Sequence, residues 1–258
     1  MHQPPLYVER IVAFVDILGF GALVSSLSSN PELHGRLHHA LTYIKSYRES
    51  SRTENTAHRN LEISVFSDSI AISSQPFDAS GVLWACGWLH AQLLYFGILT
   101  RGGISIGPTI HKDDVLYGEG MLKAYQLESS AAVYPRIVVD PDILPRLSVG
   151  MKNNFLDQDS DGLSFVDPFK FDAMPGGAED LASDGYDPRE VYFDEVGRHI
   201  AAAIKGATQV DHLAKWNWLG KRYRTASEKY LRGRELNLGV LLKAAEQGAS
   251  ADADKRRR

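Results

Sequence analysis

The stretch Arg10-Ile-Val-Ala-Phe-Val-Asp16-Ile-Leu-Gly19-Phe-Gly21 decides how the first half of the chain is built. Its apolar run is β-branched and aromatic, so it reads as a buried strand. Asp16 closes that run, and Leu18-Gly19-Phe20-Gly21 breaks it and opens a helix. A carboxylate at such a strand end is well placed to ligate a metal. The turn also aims the backbone N–H groups of Gly19 and Phe20 at whatever lies there, and a helix N-terminus favours phosphate.

Downstream, Leu61–Phe66 and Ile70–Ser73 read as strands around Ser67-Asp68-Ser69, a hairpin with Asp68 at its tip. If the first strand of this hairpin pairs with the Ile11 strand, Asp68 converges on Asp16. Two carboxylates and a triphosphate would suit Mg²⁺ or Mn²⁺, which prefer oxygen ligands. Singly, Asp16 also fits a helix cap and Asp68 an ordinary turn aspartate. Together, and with their flanking sequence, they read better as metal ligands.

The remaining pattern alternates helices and strands. Pro31 starts a second helix with Leu37, Leu41, Ile44 and Tyr47 at helical spacing, and residues 48–60 read as polar and turn-like. A long apolar helix spans 79–98. Strands follow at Gly103–Gly107 and Val115–Tyr117, then a helix over Gly118–Ala131, then strands at Pro135–Val139 and Gly162–Val166. This order predicts an α+β fold with helices packed on one sheet. The expected organisation is a domain over 8–167, a Gly/Pro/Asp-rich loop or linker over 168–188, a helical extension over 189–245 and a disordered tail over 246–258. Within the extension, helices are expected at 191–204, 210–231 and 235–245.

Composition narrows the function classes. The chain has 258 residues, 44% of them hydrophobic and 23% charged, enough for a sizeable core. A net charge of −4 argues against a protein that coats nucleic acid. The single cysteine, Cys86, forbids an intramolecular disulfide and reads as a small buried hydrophobe. No apolar stretch is long enough to span a bilayer, and the N-terminus lacks the features of a signal peptide, so a cytoplasmic location is expected.

Four segments occur in the order of the class III nucleotide cyclases: Phe14-Val-Asp-Ile-Leu-Gly-Phe20, Phe66-Ser-Asp-Ser69, Arg101-Gly-Gly-Ile-Ser-Ile-Gly107, and Tyr117-Gly118 through Leu127-Glu-Ser129. They resemble the first metal-binding aspartate motif, the second aspartate on its hairpin, the glycine-bounded strand, and the helix ending in Leu-Glu-Ser. The resemblance covers residues 8–167 and implies that this stretch is the catalytic domain, with an adenylate/guanylate cyclase-like sheet. It implies that Asp16 and Asp68 bind two metal ions, with the carbonyl of Ile17 completing one site. Gly19 and Phe20 would donate to the β- and γ-phosphates. The implied reaction is in-line attack of the ribose 3′-oxygen on the α-phosphorus.

The sequence departs from that pattern where the family reads purines. Ser64 stands four residues before the second aspartate, where a Lys or Glu is usual, and Val115 stands at the second base-reading position. Leu122 and Gln126 stand where the helix normally carries an Asn and an Arg. With Tyr134-Pro-Arg-Ile-Val138, the chain looks like the pyrimidine cyclases of bacterial Pycsar antiphage systems. That resemblance implies a uridylate cyclase making cyclic UMP from UTP in antiviral defence. It further implies Mn²⁺ dependence (Mg²⁺ being the alternative), a homodimer with interfacial active sites, and a separate effector activated by the messenger. Cytidylate cyclase is the close alternative. A catalytically inactive nucleotide-binding module is the rival from another class.

Arg101 and Arg136, each at a strand start, are candidates for the lost transition-state cation, because a guanidinium clamps phosphate oxygens bidentately. A surface salt bridge is the equal alternative for each, and Lys123 is a third option. Tyr43 and Tyr47 share a helix face and are candidates to stack on the base, against a plainer role in packing. His34 and His38 share a helix face without an adjacent glutamate and read as solvated. The aromatic and basic stretch Lys215–Tyr223 reads as amphipathic packing rather than as a nucleic-acid site.

Overall fold

The computed structural model describes residues 6–53, 61–112, 115–170 and 187–231, without the side chains of residues 47–53. The Tyr47 side chain, most of the expected linker, the expected helix at 235–245 and the expected tail at 246–258 lie outside the described residues. Two compact units form, Met1–Leu94 with Ile98–Ala173, and Tyr95–Gly97 with Met174–Arg258.

The first unit is α+β, built on an eight-stranded sheet. In chain order its strands are β1 (Val8–Ile17), β2 (Glu62–Phe66), β3 (Ser69–Ser74), β4 (Thr100–Lys112), β5 (Val115–Gly118), β6 (Ile137–Val139), β7 (Leu156–Gln158) and β8 (Ser164–Val166). The spatial order is β2-β3-β1-β4-β6-β8-β7, with β5 on β4. β1 lies at the centre, antiparallel to both β3 and β4, and β4 pairs with β6 in parallel. Thus the second hairpin strand, not the first, pairs with β1. Asp68 still arrives beside Asp16, because Asp16 pairs with Ser69.

Alternation along β1 gives the sheet two unlike faces. Ile11, Ala13, Val15 and Ile17 are buried, and Ile63, Ile70, Ile72, Ile104 and Ile106 share their face through the pairing register. Each such side chain contributes roughly 1.5–3 kcal/mol by leaving water. Helix α3 (Ala79–Tyr95) is buried nearly all round. His90 joins it to this face by a 2.6 Å hydrogen bond to the Thr100 hydroxyl, and burial holds the imidazole down at about 4, hence neutral. Helix α2 (Pro31–Thr53) packs on α3 through Tyr43, which stacks on Trp88 at 4.3 Å. It runs through residues expected to be turn-like.

The other face carries Arg10, Val12, Phe14 and Asp16 of β1, Ser73 of β3, and Arg101, Gly103 and Ser105 of β4. Helix α4 (Glu119–Ser130) covers part of it, and its Gly120, Ala124 and Glu128, spaced four apart, are buried. The approach is close. A Cβ on Gly103 would meet the Ala124 carbonyl and come within 2.6 Å of the Leu127 Cβ. Phe14 meets Tyr125 edge-on at 5.6 Å. Helix α1 (Phe20–Leu27) and the short helix α5 (Val149–Phe155) complete this unit, and α5 and β7 were absent from the sequence reading.

In the second unit, α6 (Pro188–Gly206) and α7 (Val210–Tyr230) pack against each other. Trp216, Leu219 and Tyr223 are buried on one face of α7, which accounts for the aromatic stretch by packing. No helix among the described residues is long and apolar enough to cross a membrane.

Gly103→Ala is expected to lower stability by about 1–3 kcal/mol through overpacking of α4 on β4. Urea denaturation would measure it, and an unchanged midpoint would contradict the close approach.

Candidate active site

The sheet register assembles the candidate site at one end of β1. Asp16 pairs with Ser69 on one side and Arg101 on the other. Phe66 and Ser69 close the β2–β3 hairpin around Ser67-Asp68, with Ser67 at φ 55°. The Asp68 carbonyl accepts the Ile17 N–H at 2.9 Å, which ties the hairpin tip to the end of β1. Leu18 N–H donates to the Leu99 carbonyl at 2.8 Å and fixes the following residue from the other side.

Gly19 follows with φ 70°, a left-handed conformation that lets the chain turn at once into α1. Leu23 N–H donates to the Gly19 carbonyl as the first helical bond. The N–H groups of the first turn therefore have no acceptor within the helix. Gly19 is exposed and a Cβ there would meet nothing, so the approach to these donors is open.

Three charged side chains meet on the polar face. Arg101 Nε lies 2.5 Å from Glu128 Oε1 and 3.7 Å from Asp16 Oδ2. Asp16 is pushed above the usual carboxylate range by burial, opposed by the Arg101 charge and assisted by the Asp68 charge. Glu128 is also raised, first by burial, with Arg101 opposing and Asp16 assisting. The effect of the Asp68 charge on Asp16 places two like charges at one end of the sheet.

That donor set fits a hard divalent cation. Two carboxylates supply oxygen ligands, and their repulsion is relieved by a bound positive charge. Among the described residues, no group of three His, Cys, Asp or Glu side chains gathers into a metal cage. Two carboxylates leave room for substrate phosphate oxygens, the arrangement Mg²⁺ commonly adopts.

Other candidates lie elsewhere. The Arg136 guanidinium is buried and committed to Asp159 at 2.7 Å, to Asp161 and to the Ala131 carbonyl at 3.2 Å. Tyr43 stacks on Trp88 at the opposite face of the sheet. Lys123, His34 and His38 are exposed. Ser64, which the resemblance puts at a base-reading position, shares a 2.9 Å hydrogen bond with His111 Nε2, while His111 Nδ1 is 2.8 Å from the Ser73 hydroxyl. Arg10 Nε donates to that same hydroxyl at 3.0 Å. Val115 is exposed on β5, and Leu122 and Gln126 are exposed on α4.

Sequence reasoning quoted Glu128 within a motif but gave it no role. The signal was present: Gly120, Ala124 and Glu128 form a small-residue stripe at i, i+4 spacing that carries a carboxylate inward. His111 carried no comparable signal, because its partners come from distant strands.

No family model matches the chain, and no curated protein matches it. Solved structures similar to it include the dimeric guanylyl cyclase domain of the RhoGC fusion protein from the aquatic fungus Blastocladiella emersonii, at 15% identity and a TM-score of 0.43, covering 62% of this chain and 93% of that one. The adenylyl cyclase CyaB from P. aeruginosa is 14% identical with a TM-score of 0.40, over 62% of this chain and 94% of that one. A bacterial light-regulated adenylyl cyclase is 13% identical with a TM-score of 0.41, and the match spans 73% of this chain and 58% of that one.

A raised folded-state pKa means that charging Asp16 costs stability, a cost absent below the usual carboxylate pKa and complete above the raised one. Asp16→Asn is therefore expected to raise the melting temperature of the metal-free protein at neutral pH by on the order of 1–4 °C. The gain should vanish as pH falls below about 4. Calorimetry at both pH values checks the sign, and a destabilised variant at neutral pH contradicts it.

Proposed function

We propose that this chain is a nucleotide cyclase of the class III kind that converts UTP to 3′,5′-cyclic UMP and pyrophosphate. The observation that carries this reading is the register that brings Asp16 and Asp68 to one end of β1, directly before the N-terminus of α1. A triphosphate needs cationic and N–H partners in one place, and this end of the sheet offers both.

In this reading, Asp16, Asp68 and the Ile17 carbonyl would hold Mn²⁺ or Mg²⁺, two ions per site. When bound, such ions lower the pKa of the ribose 3′-hydroxyl and neutralise charge on the departing pyrophosphate. The N–H groups of Gly19 and Phe20 bind the β- and γ-phosphates at the start of α1. Arg101 faces the phosphate oxygens from β4. The 3′-oxygen attacks the α-phosphorus in line, a new P–O bond forms, and the bond to the β-phosphate oxygen breaks. The hydroxyl proton passes to water.

Ser64 and Val115 support a pyrimidine substrate, because neither supplies the charged purine-reading contact. Cytidylate cyclase remains the neighbouring reading. The proposal extends to a homodimer with active sites at the subunit interface and to a cytoplasmic second messenger of antiviral defence that acts on a separate effector. A binding-only module is favoured by one observation: Leu122 is 56% exposed and Gln126 lies on the same helix, where a cyclase would present an Asn and an Arg.

Incubation of the purified protein with ATP, GTP, CTP and UTP separately, with Mn²⁺, tests these readings. Cyclic UMP is expected from the wild type. Asp16→Ala and Asp68→Ala are each expected to lose on the order of 10³-fold in rate, about 4 kcal/mol of transition-state stabilisation. A cyclic purine product would overturn the base assignment. Nucleotide binding without any cyclic product would establish the binding module instead.

A further inference from the structure

Glu128 has no role in the mechanism above, yet it is the most deeply buried carboxylate of the polar face, with its side chain 4% exposed. Its Oε1 lies 2.5 Å from Arg101 Nε, a charge contact in which neither atom makes a well-directed hydrogen bond to the other or to any other group. The same Nε lies 3.7 Å from Asp16 Oδ2. Arg101 therefore stands between two carboxylates and is drawn nearer to Glu128. Attraction scales inversely with distance, so the Glu128 pull is about 1.5 times that of Asp16 at equal dielectric.

The consequence concerns Asp16. A guanidinium seated on a carboxylate occupies the oxygens that a divalent cation needs, and the two cations compete. Among the described residues, Glu128 does not join Asp16 and Asp68 in a three-donor group. Its reach to Arg101 depends on Gly103, whose missing side chain lets α4 settle against β4.

We propose that Glu128 is a positioning residue that holds the Arg101 guanidinium off Asp16, leaving Asp16 open to a divalent cation. This rests on the metal-site reading given above. The alternative is a purely structural role, with Glu128 anchoring α4 to β4. The two differ in what removal of Arg101 does. If Glu128 only anchors the helix, deleting both partners is no better than deleting one. If Glu128 restrains Arg101, deleting Arg101 makes Glu128 dispensable for metal binding.

The test is Mn²⁺ binding to the full chain without nucleotide, read as loss of the free-ion signal by electron paramagnetic resonance. Thermal denaturation confirms that each variant is folded. Wild type should bind, and Asp16→Asn should bind far more weakly. Glu128→Gln should weaken binding by about tenfold, the lower end of what loss of a group behind the ligands costs. The double variant Arg101→Met/Glu128→Gln should return to wild-type affinity or better. Unchanged binding by Glu128→Gln overturns the proposal while leaving the metal site intact. A double variant as weak as Glu128→Gln also overturns it, making Glu128 a ligand or an anchor. If Asp16→Asn binds as the wild type does, or the wild type does not bind, the metal-site reading itself falls and takes this proposal with it.

Discussion

The register of β1 between β3 and β4 is the constraint on which the rest depends. Its odd-numbered residues from Ile11 to Ile17 enter the apolar face, and its even-numbered residues from Arg10 to Asp16 stand on the polar one. A slip by one residue would drive Asp16 into the core and expose the isoleucines. The apolar face therefore does more than stabilise the sheet. It fixes the height at which Asp16 emerges, and with it the positions of Ser69, Arg101 and the Asp68 turn.

The second constraint is the close seating of α4 on β4. Gly103 removes the side chain that would hold the helix away, and Gly120 and Ala124 present a matching small surface. Glu128, one turn beyond Ala124, then arrives at Arg101. The glycines that read as a strand boundary in the sequence thus act at a distance: they decide whether a carboxylate from a helix reaches a charge on a strand.

Elements whose signal is local were legible from the sequence. β1 announced itself by a β-branched run, the hairpin by its polar tip, α4 by helical spacing after Gly118. Pairing was harder, because alternation tells which face a residue takes and not which strand lies beside it. The expected pairing of β1 with the first hairpin strand therefore gave way to pairing with β3. The short α5 and β7 have too few residues for either period to show. Within the site, Asp16 and Asp68 stood out because each ends an element. Arg101 and Arg136 could not be separated, since both begin strands; only Asp159 and Asp161, brought in by the β7–β8 hairpin, distinguish the buried structural arginine from the one beside Asp16.

The charge balance of the polar face gives the site its direction. Asp16 and Glu128 share the Arg101 guanidinium, the Asp68 charge acts on Asp16, and burial already resists the ionisation of Asp16 and Glu128. An arrangement optimised for stability alone would neutralise one of these carboxylates or add a second cation. Arg136, whose guanidinium is matched by two carboxylates and a carbonyl, shows what such a satisfied pairing looks like in the same sheet. The imbalance at Asp16 sits where the helix N-terminus opens and where the turn at Gly19 leaves room. Strain against local rules that is confined to one concentrated spot, on a scaffold otherwise consistent, is the expected mark of a functional site. Here the deficit is one of positive charge, and the proposed divalent cation with its triphosphate is a partner whose chemistry would fill it.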